Sequence, residues 1–296
     1  ELELVYGAGF IILDDINAFK NYKNHIRLLN DAANECIYCS RTLRNGFSAF
    51  RLKEKRLPVH FFTIVLNGMP FIRHHIEQFC QLPFRWHWHI VEGAAELAHD
   101  TAWSLGSGGI LPASFHRHGL SVDGTTEYID RIAENFPEHV SVYRKTGGGL
   151  WNGKIEMVNA PIASINEPCL LWQIDADELW TPLQFLTAWQ MFDNEPERTD
   201  AYYWCYFFVG PNVVVSTRNC YSQNAGLEWL RTWRFEPGDR WDSHEPPRLV
   251  RINDECCKKD VGKLNPFYNN ETGNRGLVFQ HRSEEHTSEL QSRQVI

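Results

Sequence analysis

The run Cys169-Leu170-Leu171-Trp172-Gln173-Ile174 passes directly into Asp175-Ala176-Asp177-Glu178, and this junction constrains the fold more than any other stretch of the 296 residues. The run is too short for a helix that buries a face and too apolar for a loop. It reads as a strand covered on both sides, of the kind found in parallel sheets. In open α/β sheets ligands gather beyond the carboxyl ends of such strands. Two carboxylates spaced i, i+2 at that edge offer oxygen ligands to a hard divalent cation, which can in turn hold phosphates. Acidic residues after a strand also serve as helix caps, so the surrounding sequence has to decide between the two readings.

That sequence is organised as alternating elements. Phe61-Phe62-Thr63-Ile64-Val65-Leu66 reads as a strand ending in Asn67-Gly68, with Pro70 placed to open a helix. Trp86-His87-Trp88-His89-Ile90-Val91 reads as a second strand, ending in Glu92-Gly93. After Gly153-Lys154, the residues Ile155, Val158, Ile162 and Ile165 recur at helical spacing, and Pro161 should kink or restart that helix because it lacks a donor. Thr181-Pro182-Leu183-Gln184 has the spacing of a capping box with proline in the first turn. Strands alternating with helices argue for an α/β fold with a mainly parallel central sheet and flanking helices.

In this order the motifs resemble the family-2-like glycosyltransferases, whose nucleotide-sugar fold is called GT-A and is related to the Rossmann architecture. The features that carry the resemblance are Asn67-Gly68, Glu92, Asp123-Gly124-Thr125-Thr126, Gly153-Lys154 with Asn159, and Asp175-Ala176-Asp177. It spans residues 59 to 281, with 94–122 as an insertion rich in Gly, Ser and His. The resemblance implies a metal-dependent, inverting transferase that moves a sugar from a nucleotide-diphosphate donor to a glycan, lipid-linked or protein acceptor. Mn2+ or Mg2+ would be the cofactor, stabilising charge on the departing diphosphate. Asp177 and Asp175 are the expected metal ligands, with His281 as a further one, and Glu178 either supports them or caps the next turn. Asn67, Glu92, Asp123, Lys154 and Asp175 are the expected donor-binding residues.

A general base is expected in Asp242-Ser243-His244-Glu245-Pro246-Pro247, whose His-Glu resembles one found late in bacterial lipopolysaccharide-core members of the family; Glu245 is the catalytic candidate. Glu228 and Asp239 are its rivals, and the segment reads equally as a surface turn. Arg231 and Arg234 could fork onto phosphate or be structural. The aromatic stretch from Tyr202 to Phe208 reads as one strand, and the tryptophans around it suit core packing better than sugar stacking. Two other classes use the same carboxylates or fold: a metal-dependent phosphoester hydrolase and a non-catalytic glycan-binding module. The first would need more His and Asp ligands than the sequence arranges.

Residues 1–58 are unassigned and read as the tail of an upstream domain, with a strand within Val5 to Leu13 and a linker from Arg51 to Pro58. Arg282 to Ile296 resembles a translated sequencing-library adapter, so 282–296 is set aside as a non-native tail, and the chain reads as a fragment at both ends. A net charge of −8 argues against a nucleic-acid partner. The eight cysteines form no convincing disulfide framework, and Cys36-Ile37-Tyr38-Cys39 lacks a second pair with zinc spacing. No run is long enough to span a membrane. The expected location is cytoplasmic, peripheral to the inner face of the membrane if the acceptor is lipid-linked.

Overall fold

A computed structural model of the chain describes residues 10–31, 34–52, 57–96, 111–196, 198–209, 213–216, 230–244, 247–253, 257–260 and 278–281. The chain divides into two compact units, one of residues 1–58 with 82–85 and one of residues 59–81 with 86–296. Among the described residues no helix is long and apolar enough to cross a membrane.

The first unit is an antiparallel sheet with one helix. It comprises β1 (Phe10–Asp14), α1 (Phe19–Asn30), β2 (Asn34–Ser40) and β3 (Phe47–Leu52), with β3 in the middle. Ile11, Leu13, Ile16, Leu28 and Phe50 form its core, drawn from alternate positions of the strands and one stripe of the helix. The strand expected within Val5 to Leu13 begins at Phe10, and residues 5–9 lie outside the described residues. Arg51 and Leu52, expected in a linker, complete β3.

The second unit begins β4 (Val59–Val65), α2 (Arg73–Phe79), β5 (Trp86–Glu92), α3 (Thr125–Asn135), β6 (Val140–Tyr143), α4 (Gly153–Asn159), β7 (Cys169–Gln173). It continues β8 (Glu178–Leu179), α5 (Pro182–Asn194), β9 (Asp200–Tyr202), β10 (Trp204–Val209), β11 (Val213–Ser216) and β12 (Leu230–Phe235). The last described strands are β13 (Arg240–His244), β14 (Pro247–Asn253), β15 (Cys257–Asp260) and β16 (Val278–His281). The central sheet has the order β6-β5-β4-β7-β12-β9. Strands β6, β5, β4 and β7 run parallel, and β12 is antiparallel to both β7 and β9. The fold is therefore α/β, with a mainly parallel central sheet and flanking helices.

The chain enters this sheet at β4, moves outward through β5 and β6, and returns on the other side of β4 as β7. The strand order reverses between β4 and β7, which is where a doubly wound sheet opens a crevice at its carboxyl edge. Both faces of β4 are covered, as its apolar run requires. Phe61 stacks on Phe79 of α2 at 4.1 Å and meets Phe185 of α5, while Phe62 meets Trp241 of β13 on the opposite face. The tryptophans serve the core: Trp172, Trp180, Trp233 and Trp241 are each at most 3% exposed.

Three elements depart from the sequence pattern. Helix α4 stops at Asn159, and Pro161 leads into a short 3-10 turn, Ile162–Ser164, in place of a helix reaching Ile165. The aromatic stretch is two strands in two sheets, because Tyr203 turns into the core, lies parallel to Trp172 and hydrogen-bonds Thr232 at 2.9 Å. Pro70 does not open α2, which begins at Arg73 after the turn that contains it. The capping box forms as expected: Gln184 N–H donates to Thr181 Oγ1, and the Thr181 N–H donates to Gln184 Oε1.

A polar chain crosses one face of the parallel strands. His60 Nδ1 lies 2.8 Å from His89 Nε2, His89 Nδ1 lies 2.9 Å from Tyr143 Oη, and that hydroxyl meets Ser164 Oγ. Burial, then the neighbouring His60 and His87, holds the His89 imidazole well below its ordinary 6.5. The unfolded chain therefore takes up this proton first, so stability is unaffected above pH 6.5 and falls as the pH drops below it. Urea unfolding at pH 5.5 is expected to show about 1 kcal/mol less stability than at pH 6.5 from His89 alone. A His89→Gln variant should flatten that slope, and an unchanged slope would contradict the assignment.

Candidate functional site

The crevice edge is built by two turns that touch. A Cβ on Gly68, after β4, would lie 2.7 Å from Val65 Cγ2 and 3.0 Å from Ala176 Cβ, after β7. No larger residue fits between the two strand ends. The turn carrying Asp175, Ala176 and Asp177 is thus held close to the end of β4.

Beneath this turn the acidic run is anchored. Glu178 is fully buried, and its Oε1 accepts from Arg231 Nε at 2.8 Å and Nη2 at 2.7 Å. Arg231 Nη2 also reaches Asp175 Oδ2 at 3.1 Å. Burial pushes the Glu178 carboxyl up, to about 8, with Asp175 and Asp177 adding to the rise and Arg231 opposing it. Helix α2 supports the same turn from another side. His74 Nε2 lies 3.0 Å from the Trp180 carbonyl, and the neighbouring His75 is buried, its Nε2 without a hydrogen-bond partner among the described residues. Burial holds the His75 imidazole down at about 3. Asp175 and Asp177 remain half-buried at the mouth.

Arg231 thus serves the carboxylates and is not set apart for phosphate. Arg234 donates from Nε to the Arg198 carbonyl at 2.9 Å and from Nη2 to the Phe192 carbonyl at 2.7 Å, bracing the end of α5. Asp239, a rival general base, is buried and receives a fork from Arg251, both bonds 2.8 Å. Glu245 and Glu228 lie outside the described residues. His281 ends β16, and its backbone pairs with Glu178 of β8, which brings the end of the described chain beside the acidic run.

The other expected donor-binding residues form a second group around the loop before α3. Asn67 accepts from Val122 N–H at 2.8 Å and donates to the Phe115 carbonyl at 2.8 Å. Asp123 accepts from the Met69 and Thr125 N–H groups, at 2.9 and 3.0 Å. Thr125 Oγ1 accepts from Gly68 N–H. Glu92 is fully buried; it receives Arg144 Nε and Nη2 at 2.8 Å and the hydroxyl of Thr126. These side chains tie residues 111–126 to the ends of β4 and β5, and Glu92 does so with its carboxylate already paired. Of the expected insertion, residues 97–110 lie outside the described residues, and Gly119 rejoins the sheet edge by accepting from Ala94 N–H at 2.7 Å.

On the remaining side stands α4. Asn159, near the end of that helix, bonds the backbone of Trp241 twice, accepting from its N–H at 2.9 Å and donating to its carbonyl at 3.0 Å. Its role is to register β13 on α4. Lys154 is half-buried at the start of the helix. The charges of Lys154, Asp175 and Arg231 all act on the imidazole of His244, at the end of β13. Both ring nitrogens of His244 are buried with no hydrogen-bond partner among the described residues. The sequence reading passed over His244 in favour of its neighbour Glu245. The sequence signal here is the His244-Glu245 pair itself, which does not separate the work of its two residues.

Among the described residues no group of three or more His, Cys, Asp or Glu side chains is arranged to hold a metal. Asp175 and Asp177 nevertheless offer the donor set that suits Mg2+, which is commonly held by one or two carboxylates and completed by waters and substrate phosphates.

No family model matches the chain, and no curated protein matches it. Among solved structures the chain is similar to the mannosyltransferase PcManGT from Pyrobaculum calidifontis in complex with GDP-Man and Mn2+. The two are 16% identical over 72% of this chain and 50% of that one, with a TM-score of 0.39. It is also similar to S. aureus TarS 1-349, at 11% identity over 60% and 47% of the two chains and a TM-score of 0.35. A 4-diphosphocytidyl-2C-methyl-D-erythritol synthase is 12% identical over 81% and 98%, with a TM-score of 0.33. The chain thus spans about half the length of the first two of these structures.

Proposed function

We propose that this protein is a metal-dependent glycosyltransferase of the GT-A type, moving a sugar from a nucleotide-diphosphate donor to a glycan, lipid-linked or protein acceptor. The observation that carries the reading is the presence of Asp175 and Asp177 at the carboxyl edge of the central sheet. They stand where the strand order reverses, and the charges of Asp175 and Lys154 both reach the imidazole of His244. Asp177 and Asp175 would hold Mn2+ or Mg2+, with His281 as a further ligand from β16. The cation supplies charge stabilisation for the departing diphosphate. Lys154 adds a second positive charge toward the same phosphates, and the ion pair of Glu178 with Arg231 keeps Asp175 oriented.

Asn67, Asp123 and Glu92 shape the nucleotide side of the crevice through the 111–126 segment. Direct contacts from Asn67 and Asp123 to the donor would have to share hydrogen bonds already made within the chain. In an inverting transfer Glu245 takes the proton from the acceptor hydroxyl, one residue beyond His244. Membrane proximity enters only where the acceptor is lipid-linked.

The test is a thermal-shift panel of uridine, guanosine, cytidine, adenosine and thymidine diphosphates on the full chain, with Mn2+ and with chelator. A rise in melting temperature that requires both one nucleotide and the metal supports the reading, and binding at 100 times Kd corresponds to about 2.7 kcal/mol of stabilisation. A folded protein indifferent to all five would sink it.

A further inference from the structure

Both ring nitrogens of His244 are buried without a hydrogen-bond partner among the described residues. The position is set by neighbouring contacts. Asn159 fixes Trp241 against α4. From Trp241, three residues of strand carry the chain about 10 Å to His244. From Asn159, five residues of helix lead back about 7.5 Å to Lys154. Lys154, Asp175 and Arg231 are the charges that act on the ring.

Native proteins rarely leave buried ring nitrogens without partners, because the desolvated group is costly unless something completes it. Burial and the adjacent Lys154 keep this imidazole neutral, so it presents one N–H and one lone pair. An acceptor for that N–H would stand near Lys154 and Arg231, whose charges favour an anionic oxygen against the opposing charge of Asp175.

We infer that His244 is a hydrogen-bond donor to the diphosphate of the bound nucleotide, acting together with Lys154. The inference rests on the transferase reading above and adds to it a positioning residue for the leaving group. It also assigns the two halves of the His244-Glu245 pair different work, the histidine on the donor and the glutamate on the acceptor.

Calorimetric titration of the full chain with a nucleoside and with the matching nucleoside diphosphate, both in Mn2+, provides the test. Phenylalanine keeps the size of the ring and removes its N–H, whereas glutamine keeps an N–H donor. His244→Phe should weaken diphosphate binding by about tenfold or more, the usual scale for a hydrogen bond to a charged group. It should leave the affinity for the nucleoside unchanged. The melting temperature of the free protein should hold or rise, because a buried polar group without a partner has been removed. His244→Gln should bind the diphosphate within about threefold of the parent chain.

Equal diphosphate affinity in His244→Phe would overturn the inference while leaving the transferase reading intact. So would an equal loss for nucleoside and diphosphate, or a lower melting temperature of the free variant, since either result marks a structural residue. If the parent chain binds no nucleoside diphosphate, both fall together.

Discussion

Asp177→Ala is expected to reduce metal-dependent sugar transfer by about a thousandfold or more while leaving the protein folded. A cation that stabilises a developing diphosphate contributes several kcal/mol to the transition state, and 4 kcal/mol corresponds to about a thousandfold in rate. Asp177 is the cleaner of the two carboxylates to remove. Asp175 receives Arg231, so its loss would mix a vacant ligand with a disturbed ion pair, whereas Asp177 is half-buried on the turn beyond the strand. The measurement is initial rate of donor turnover against Mn2+ concentration, with the melting temperature as control. Turnover within tenfold of the parent chain at an unchanged melting temperature would remove Asp177 from the reaction.

The largest effect on stability is expected at Arg231. It is 4% exposed and holds Glu178, which is fully buried. Replacing it by methionine leaves the buried Glu178 carboxyl without its partner, at a cost of about 1–3 kcal/mol, because a carboxyl already pushed up to about 8 takes up a proton rather than stay charged. The double variant Arg231→Met with Glu178→Leu should recover most of that loss, because both charges leave the interior together. Chemical denaturation of the four proteins measures the coupling directly. A single-variant loss below about 1 kcal/mol would mean that the pair does not hold the turn. The experiment also separates two roles of this cluster, since the double variant restores folding while Asp175 still lacks its guanidinium.

The parts of this architecture visible in the sequence are those written locally. Strands β4, β5 and β7 are buried on both faces, so each appears as an apolar run, and the turn after β7 announces itself by an abrupt change to acid. The capping box at Thr181 is a four-residue pattern and needed no tertiary knowledge. Partners distant in sequence were not visible. Arg231 lies more than fifty residues from Glu178, and nothing in its own neighbourhood distinguishes a carboxylate clamp from a phosphate fork.

Asn159 reads in the sequence as part of the Gly153-Lys154 motif, yet its use is a backbone lock on Trp241, 82 residues away. Tyr203 was hidden inside an aromatic run whose composition favours strand at every position; only the packing against Trp172 and Thr232 shows why the run breaks there. His74 and His75 sit on a seven-residue helix too short to display a periodic pattern.

The pairing of β16 with β8 has a consequence for the order in which this protein is made. Glu178 and His281 stand opposite each other although about a hundred residues separate them. During synthesis the acidic turn leaves the ribosome well before the segment that flanks it, and a contact of such long range is slow to close. The nascent chain therefore carries its buried glutamate, and the arginine that neutralises it, through a period when one neighbouring strand does not yet exist. The cluster gains this neighbour only once β16 has been made, about a hundred residues after the acidic turn.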